Sequence, residues 1–166
     1  MEDIVAGRVR LRELTKSDAP FIFELLNTEG WLRYIGDRNV GSLQDSEVFI
    51  EGIQQRPNMD YIIIEELDSN KAVGIISYIH RPELEAPDLG FAILPQFSRK
   101  GLAYEASTTF VKHTMQNEKP DKILAITMPH NRASIGLLEK IGFVFISNIQ
   151  KDDETLLKYS FKNPES

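Results

Sequence analysis

No cysteine occurs among the 166 residues. A disulfide framework, a thiolate-bound metal and a cysteine nucleophile or acyl-thioester are therefore excluded. Positive charge is scarce as well: 19 Lys and Arg face 25 Asp and Glu, for a net charge of −6, and the longest basic run is Arg99-Lys100. That balance argues against a broad nucleic-acid surface and suits a cationic partner. No apolar run approaches the roughly 18 residues needed to cross a bilayer, and Met1 to Val5 carries no basic segment leading into an apolar core. No membrane association is expected, and the expected location is cytoplasmic. The three histidines, His80, His113 and His130, lack metal-ligand spacing, so no metal site is expected.

The chain has length for one domain, and its 42% hydrophobic content is enough for a core. Arg8 to Leu14 alternates polar and apolar and reads as a half-buried strand. Ser17 or Asp18 then caps a helix burying Phe21, Ile22 and Leu25, and residues 31–38 read as a loop with two aromatics. Ser42 caps a second helix, with Val48, Phe49 and Ile53 on its apolar side, ended by Pro57. The β-branched runs 61–67 and 72–79 flank a turn at 68–71 and form an antiparallel hairpin. A strand at 88–94, a helix at 102–117, a strand at 123–128, a helix from Asn131 and a closing hairpin at 143–149 and 154–161 complete the order. The expected fold is a mixed α/β (α+β) domain over 1–161, with about seven strands in a mostly antiparallel sheet, helices on both faces, and a tail from Lys162 to Ser166.

The stretch from Asp88 to Ala106 organises this pattern. Leu89, Phe91 and Ile93 alternate with Gly90, Ala92 and Leu94 as in a strand, Pro95 stops it, and Leu102, Ala103, Ala106 and Phe110 recur at helical spacing. A strand thus feeds a helix through the basic turn 96–101. The first amides of a helix lack internal partners and suit an anion, most readily phosphate; Gly101 lets a bulky diphosphate approach the backbone. The chain has neither Gly-x-x-x-x-Gly-Lys-Ser/Thr nor Gly-x-Gly-x-x-Gly, so nucleoside triphosphates and dinucleotides lose support.

The run Ser98-Arg-Lys-Gly-Leu-Ala103, after Leu94-Pro95 and before Glu105-Ala106, resembles the acetyl-CoA loop of the GNAT N-acetyltransferase superfamily. The block from Asn131 to Phe143 resembles that family's following helix with its Gly-Phe exit, and the run Trp31 to Arg38 looks like the branch that contains ribosomal-protein-alanine N-acetyltransferases. This resemblance implies the GNAT fold and acetyl transfer from acetyl-CoA to a primary amine of a small molecule or a peptide N-terminus, by direct attack in a ternary complex. It implies that pyrophosphate rests on the amides of Ser98, Arg99, Lys100, Gly101, Leu102 and Ala103. Pantetheine then runs along Phe91, Ala92, Ile93 and Leu94, an amide near Ile93 polarises the thioester carbonyl, and Asn131 and Ser134 meet the cofactor from the next helix. Asn131 has a second role open to it, as that helix's cap.

The acceptor amine needs a base. Asp88 stands where some relatives carry a catalytic glutamate, and its apolar neighbours Leu84, Ala86, Pro87 and Leu89 favour a raised pKa. A turn or cap role is its structural alternative, and Asp37 and Glu65 are fallback bases acting through water. Trp31, Tyr34, Asp37 and Tyr78 are the acceptor-pocket candidates; packing of the early helices onto the sheet is the other reading of the aromatics. Many relatives place a proton-donating tyrosine seven residues after the asparagine, but here that position is Leu138. Tyr104 is the substitute donor. Ser98 also departs from the usual Gln or Arg. Together these departures leave a second function open, a non-catalytic acyl-CoA-binding module or sensor. Monomer and homodimer are both open.

Overall fold

The computed structural model describes residues 1–165; Ser166, the end of the expected tail, lies outside them. The element order is β1 (Ile4–Ala6), β2 (Val9–Glu13), α1 (Ala19–Leu26), α2 (Glu29–Tyr34), α3 (Leu43–Gln54), β3 (Met59–Glu66), β4 (Lys71–Ile79), β5 (Asp88–Ile93), α4 (Leu102–Asn117), β6 (Lys122–Thr127), α5 (Arg132–Ile141), β7 (Val144–Lys151) and β8 (Glu154–Lys162). The eight strands form one sheet in the order β1-β2-β3-β4-β5-β6-β8-β7. Every neighbouring pair is antiparallel except β5 and β6.

Helices cover both faces, which explains why Ile62-Ile63-Ile64 can be apolar without alternation in an antiparallel sheet. Ile62 and Ile64 join one core with Leu102, Ala106 and Phe110 of α4 and Leu138 of α5. Ile63 joins the other with Ile22 and Leu25 of α1, Trp31 of α2 and Ile50 of α3.

Three local expectations need correction. The sheet has an eighth strand, β1, whose three residues are too short to show a period and which exists because the turn at Gly7 folds it onto β2. Residues 31–38 are not all loop: Trp31 to Tyr34 finish α2, which Thr28 starts by accepting the Trp31 amide at 3.3 Å. The expected tail begins as structure, since Lys162 ends β8 and Asn163 is buried. The Asn163 amide donates to the Asp121 carbonyl at 2.9 Å and its Nδ2 to the Pro120 carbonyl at 3.1 Å.

One ion network ties the start of α1 to the sheet. The Arg12 guanidinium donates to both carboxylate oxygens of Asp18, at 2.8 and 3.0 Å, and to Glu65 at 2.8 Å, while Arg10 donates to Glu65 at 2.9 Å. Glu65 is thereby removed as a candidate base, because its lone pairs are spent on two arginines. Burial pushes both carboxyls up, but the Arg12 bonds, with the Thr15 amide for Asp18 and Arg10 for Glu65, more than reverse this. Both stay below their ordinary values of 3.8 and 4.5. A depressed carboxyl stabilises the fold above its unfolded pKa, and that contribution disappears as pH falls through the folded pKa. Melting temperature is therefore expected to drop as pH falls below about 4.5. Glu65→Gln should cost roughly 1.5–3 kcal/mol at neutral pH and flatten that acid limb, as measured by denaturant unfolding across pH.

Candidate functional site

The site begins where the only parallel pair of the sheet comes apart. β5 and β6 share a single register position, Asp88 with Leu124, supported by the Leu124 amide donating to the Pro87 carbonyl at 2.8 Å. Beyond it the strands diverge toward their C-terminal ends. On its other side β5 stays paired to β4, and the Leu94 amide donates to the Val73 carbonyl at 2.8 Å. Because backbone groups alternate between edges, residues 88, 90, 92 and 94 face β4, while the N–H and C=O of Phe91 and Ile93 face the gap. A central strand that carries free donors and acceptors along a dry slot can hold an extended amide-bearing chain by strand-like hydrogen bonds. Phe91, Ala92 and Ile93 are only half-buried although they lie mid-sheet. Leu94 does not belong with them: its amide is taken by Val73, and its side chain is buried in the core beside α1 and α3.

At the mouth of the gap, β5 passes through Pro95–Phe97 into the start of α4. Arg99 and Gly101 both adopt left-handed backbone, at φ +62 and +79, which folds the turn into a concavity of amides. The first bond into α4 is Glu105 N–H to the Gly101 carbonyl, 3.0 Å. Among the described residues, no backbone carbonyl accepts from the amides of Arg99, Lys100, Gly101, Leu102, Ala103 or Tyr104. The cradle therefore fits a diphosphate. Ser98 drops out, since its amide and hydroxyl both donate to the Pro95 carbonyl, at 3.1 and 2.7 Å. Leu102 offers only its amide, its side chain being core. Lys100 Nζ lies 5.4 Å from the centre of the Phe97 ring, and Arg99 is exposed.

Asn131 caps α5: its Oδ1 accepts the Ser134 amide at 3.2 Å. Its Nδ2 makes no bond to another described residue. Ser134 is half-buried one turn further along. Leu138 is 1% exposed, so the position that carries a proton-donating tyrosine in many relatives is sealed in the core here. Tyr104 does not replace it. Lys140 Nζ sits 4.3 Å over its ring, which holds Tyr104 against the last turn of α5, nine residues and about 13 Å from Asn131.

Of the acceptor candidates, the structure brings Tyr34 to the site and buries two others. The Tyr34 ring lies 5.7 Å from that of His130, next to Asn131. Trp31 is 3% exposed inside the α1/α3 core, and Tyr78 is 2% exposed with its ring edge-on to Phe110. Burial and the nearby Glu118 carboxylate push the Tyr78 hydroxyl well up. Neither ring is free to line a pocket. Asp37 is exposed and accepts the Asn39 amide at 2.7 Å, a turn role. A cavity of about 220 Å³ lies instead between Tyr34 and Ile35, the end of β6 (Ile126, Thr127) with Met128, and the β7–β8 turn, where Lys151, Asp152, Glu154 and Leu156 close it. The turn residues were readable only as a hairpin; the signal for more is Asp152-Asp153 at positive φ, +50 and +66, where Asn-Gly is the unstrained choice. Another cavity, about 250 Å³ and largely apolar, lies between the second half of α4, Ile141 and residues 161–165, away from the turn.

Asp88 is 6% exposed, with Arg81 Nε donating to its Oδ1 at 3.0 Å. Burial raises its pKa; Arg81 opposes the shift without cancelling it. Phe91 lies three positions further along, about 10 Å of strand. Any proton Asp88 removes from a group at Phe91 or Ile93 must travel through water.

The family described as "Acetyltransferase (GNAT) domain" matches residues 8–144. An uncharacterized N-acetyltransferase, YoaA, of Bacillus subtilis (strain 168) is 27% identical over 161 residues, 94% of this chain and 86% of that protein. The [ribosomal protein uS5]-alanine N-acetyltransferase of Escherichia coli (strain K12) is 29% identical over 85 residues, covering 50% of this chain and 44% of that one. Among solved structures, a ribosomal L7/L12 alpha-N-protein acetyltransferase, RimL, in complex with coenzyme A superposes with a TM-score of 0.83 at 17% identity, over 97% of this chain and 98% of the other. That last likeness is one of fold.

The turn itself is testable. Gly101→Ala forces a side chain into left-handed backbone and should lower unfolding free energy by about 1–2 kcal/mol. Gly101→Asn, which tolerates that region, should lose less, as read by denaturant titration.

Proposed function

This chain belongs to the GNAT acetyltransferase family, and from that premise we propose that it moves an acetyl group from acetyl-CoA to a primary amine held in the cavity beside Tyr34. The observation that carries the reading is the slot between β5 and β6, with the unpaired backbone of Phe91 and Ile93 along it and unbonded amides from Arg99 to Tyr104 at its mouth. The amides of Lys100 to Ala103 hold the diphosphate, the edge of Phe91 and Ile93 takes the pantetheine amides, and the free Nδ2 of Asn131 reaches the arm from the other side. A gap-facing amide, that of Phe91 or Ile93, polarises the thioester carbonyl. Both substrates are then bound together, so the amine attacks directly and no acyl-enzyme forms.

The atoms balance simply. The amine nitrogen forms its bond to the acetyl carbon, the carbon–sulfur bond breaks, and the sulfur leaves with the electron pair. One of the amine's protons passes through water to Asp88, whose raised pKa brings it closer to the ammonium it must serve, and the other is lost to solvent. The departing thiolate takes its proton from solvent, since Leu138 has none to give. The cavity, about 220 Å³ with Asp152 and Glu154 against Lys151, suits one small amine or the first residue or two of a peptide. The ribosomal-protein acetyltransferases among the similar proteins make peptide N-termini the first acceptors to try.

A second reading, an acyl-CoA-binding module without turnover, is favoured by one pair of facts: Leu138 is sealed in the core and Asp88 is already held by Arg81. Calorimetry with acetyl-CoA, then thiol release and product mass across peptides, polyamines and amino acids, separates the two. Acetyl-CoA binding with acetylated product is expected. Binding without release on any acceptor selects the module, and no binding at all overturns both.

Asp88→Asn is expected to lower kcat about 100-fold with little change in KM. Arg81→Ala removes the charge that holds the Asp88 carboxyl down, so the acidic limb of kcat/KM should move to higher pH; a limb that stays in place excludes Asp88 as the base.

A further inference from the structure

We propose that Arg8 binds the diphosphate of coenzyme A and that Glu105 is the residue that positions it. The inference rests on the proposed function and adds to the helix turn a ligand from the N-terminal hairpin. Arg8 lies in the β1–β2 turn, 97 residues from Glu105 in the first turn of α4. Its backbone N–H donates to Glu105 Oε1 at 2.6 Å, its Nε to Oε2 at 2.9 Å, and one terminal nitrogen lies 2.7 Å from Oε2. One carboxylate thus fixes both the backbone and the guanidinium of Arg8. Gly7 makes room for it. At φ +56 it turns the hairpin, and a Cβ there would collide with the Glu105 carboxylate.

The guanidinium comes to rest over the phosphate turn. A terminal nitrogen of Arg8 is 3.2 Å from the point a Cβ on Gly101 would occupy. Of five guanidinium N–H groups, Nε and one terminal N–H face Glu105, which leaves three for an anion. The Arg8 side chain is 53% exposed and that of Glu105 24%. A surface ion pair of this exposure adds little stability, so stabilisation alone is a weak reason for three contacts to one carboxylate. A planar fork held beside unpaired amides matches a phosphate in both shape and charge.

Calorimetry on the full chain, with coenzyme A and with dephospho-coenzyme A as probes, tests this. Arg8→Ala should weaken both ligands about tenfold or more. Glu105→Gln, which keeps the charge on Arg8 but loosens its hold, should weaken both by a smaller factor. Arg8→Lys, retained in case the alanine variant does not fold, should also lose affinity for both, because a point charge cannot satisfy Glu105 and the ligand together. Unchanged affinity in folded Arg8 variants, whatever their melting temperature, overturns the proposal and leaves Arg8 a structural ion pair. A loss seen with coenzyme A and absent with dephospho-coenzyme A also overturns it, since the contact would then be to the 3′-phosphate. If the wild-type chain binds neither ligand, the proposed function fails first, which distinguishes the two failures.

Discussion

The arrangement depends on one backbone pairing. Asp88 opposite Leu124 is the single position at which β5 and β6 meet, and it divides the sheet into two antiparallel blocks, β1 to β5 and β6 to β8. Had the two strands stayed paired to their ends, Phe91 and Ile93 would spend their backbone groups on the ladder. No slot would open, and the turn before α4 would cradle an anion with nothing to attach to it. The pair of buried Asp88 with half-exposed Arg81 sits at that junction, where it also anchors the segment between β4 and β5.

Much of this was legible because it is local. The Ser42 cap is made through the Asp45 amide at 3.0 Å, the Asn131 cap through Ser134, and the turn before α4 follows from Pro95 and Gly101. The resemblance to the GNAT family carried the cofactor. What escaped was long-range. Trp31 and Tyr78 are amphipathic rings whose sequence neighbours do not say which face they meet, and both went to the core. Glu65 is a free carboxylate as far as its sequence neighbours show, and its partners Arg10 and Arg12 lie across the β2–β3 ladder; Arg8 is, in sequence, one more polar position in a strand. Ser98 leaves the cradle of amides for a different reason: its amide and hydroxyl both bond locally to the Pro95 carbonyl.

The division of labour between the two faces follows from the helices. α4 and α5 share one core with β2, β3 and β6, and they bring Gly101 and Asn131 to the same end of the gap. The opposite core, under α1 and α3, carries no proposed chemistry of its own, but α2 extends from it to deliver Tyr34. The Arg12 network fixes the beginning of that helical layer, so these ion pairs help decide where α2 and Tyr34 stand.

The ring contact between Tyr34 and His130 joins those two layers across the mouth of the slot. The end of α2 therefore leans on the residue preceding the Asn131 cap of α5. Taking away either ring would remove the aromatic contact that ties the two layers together at that point.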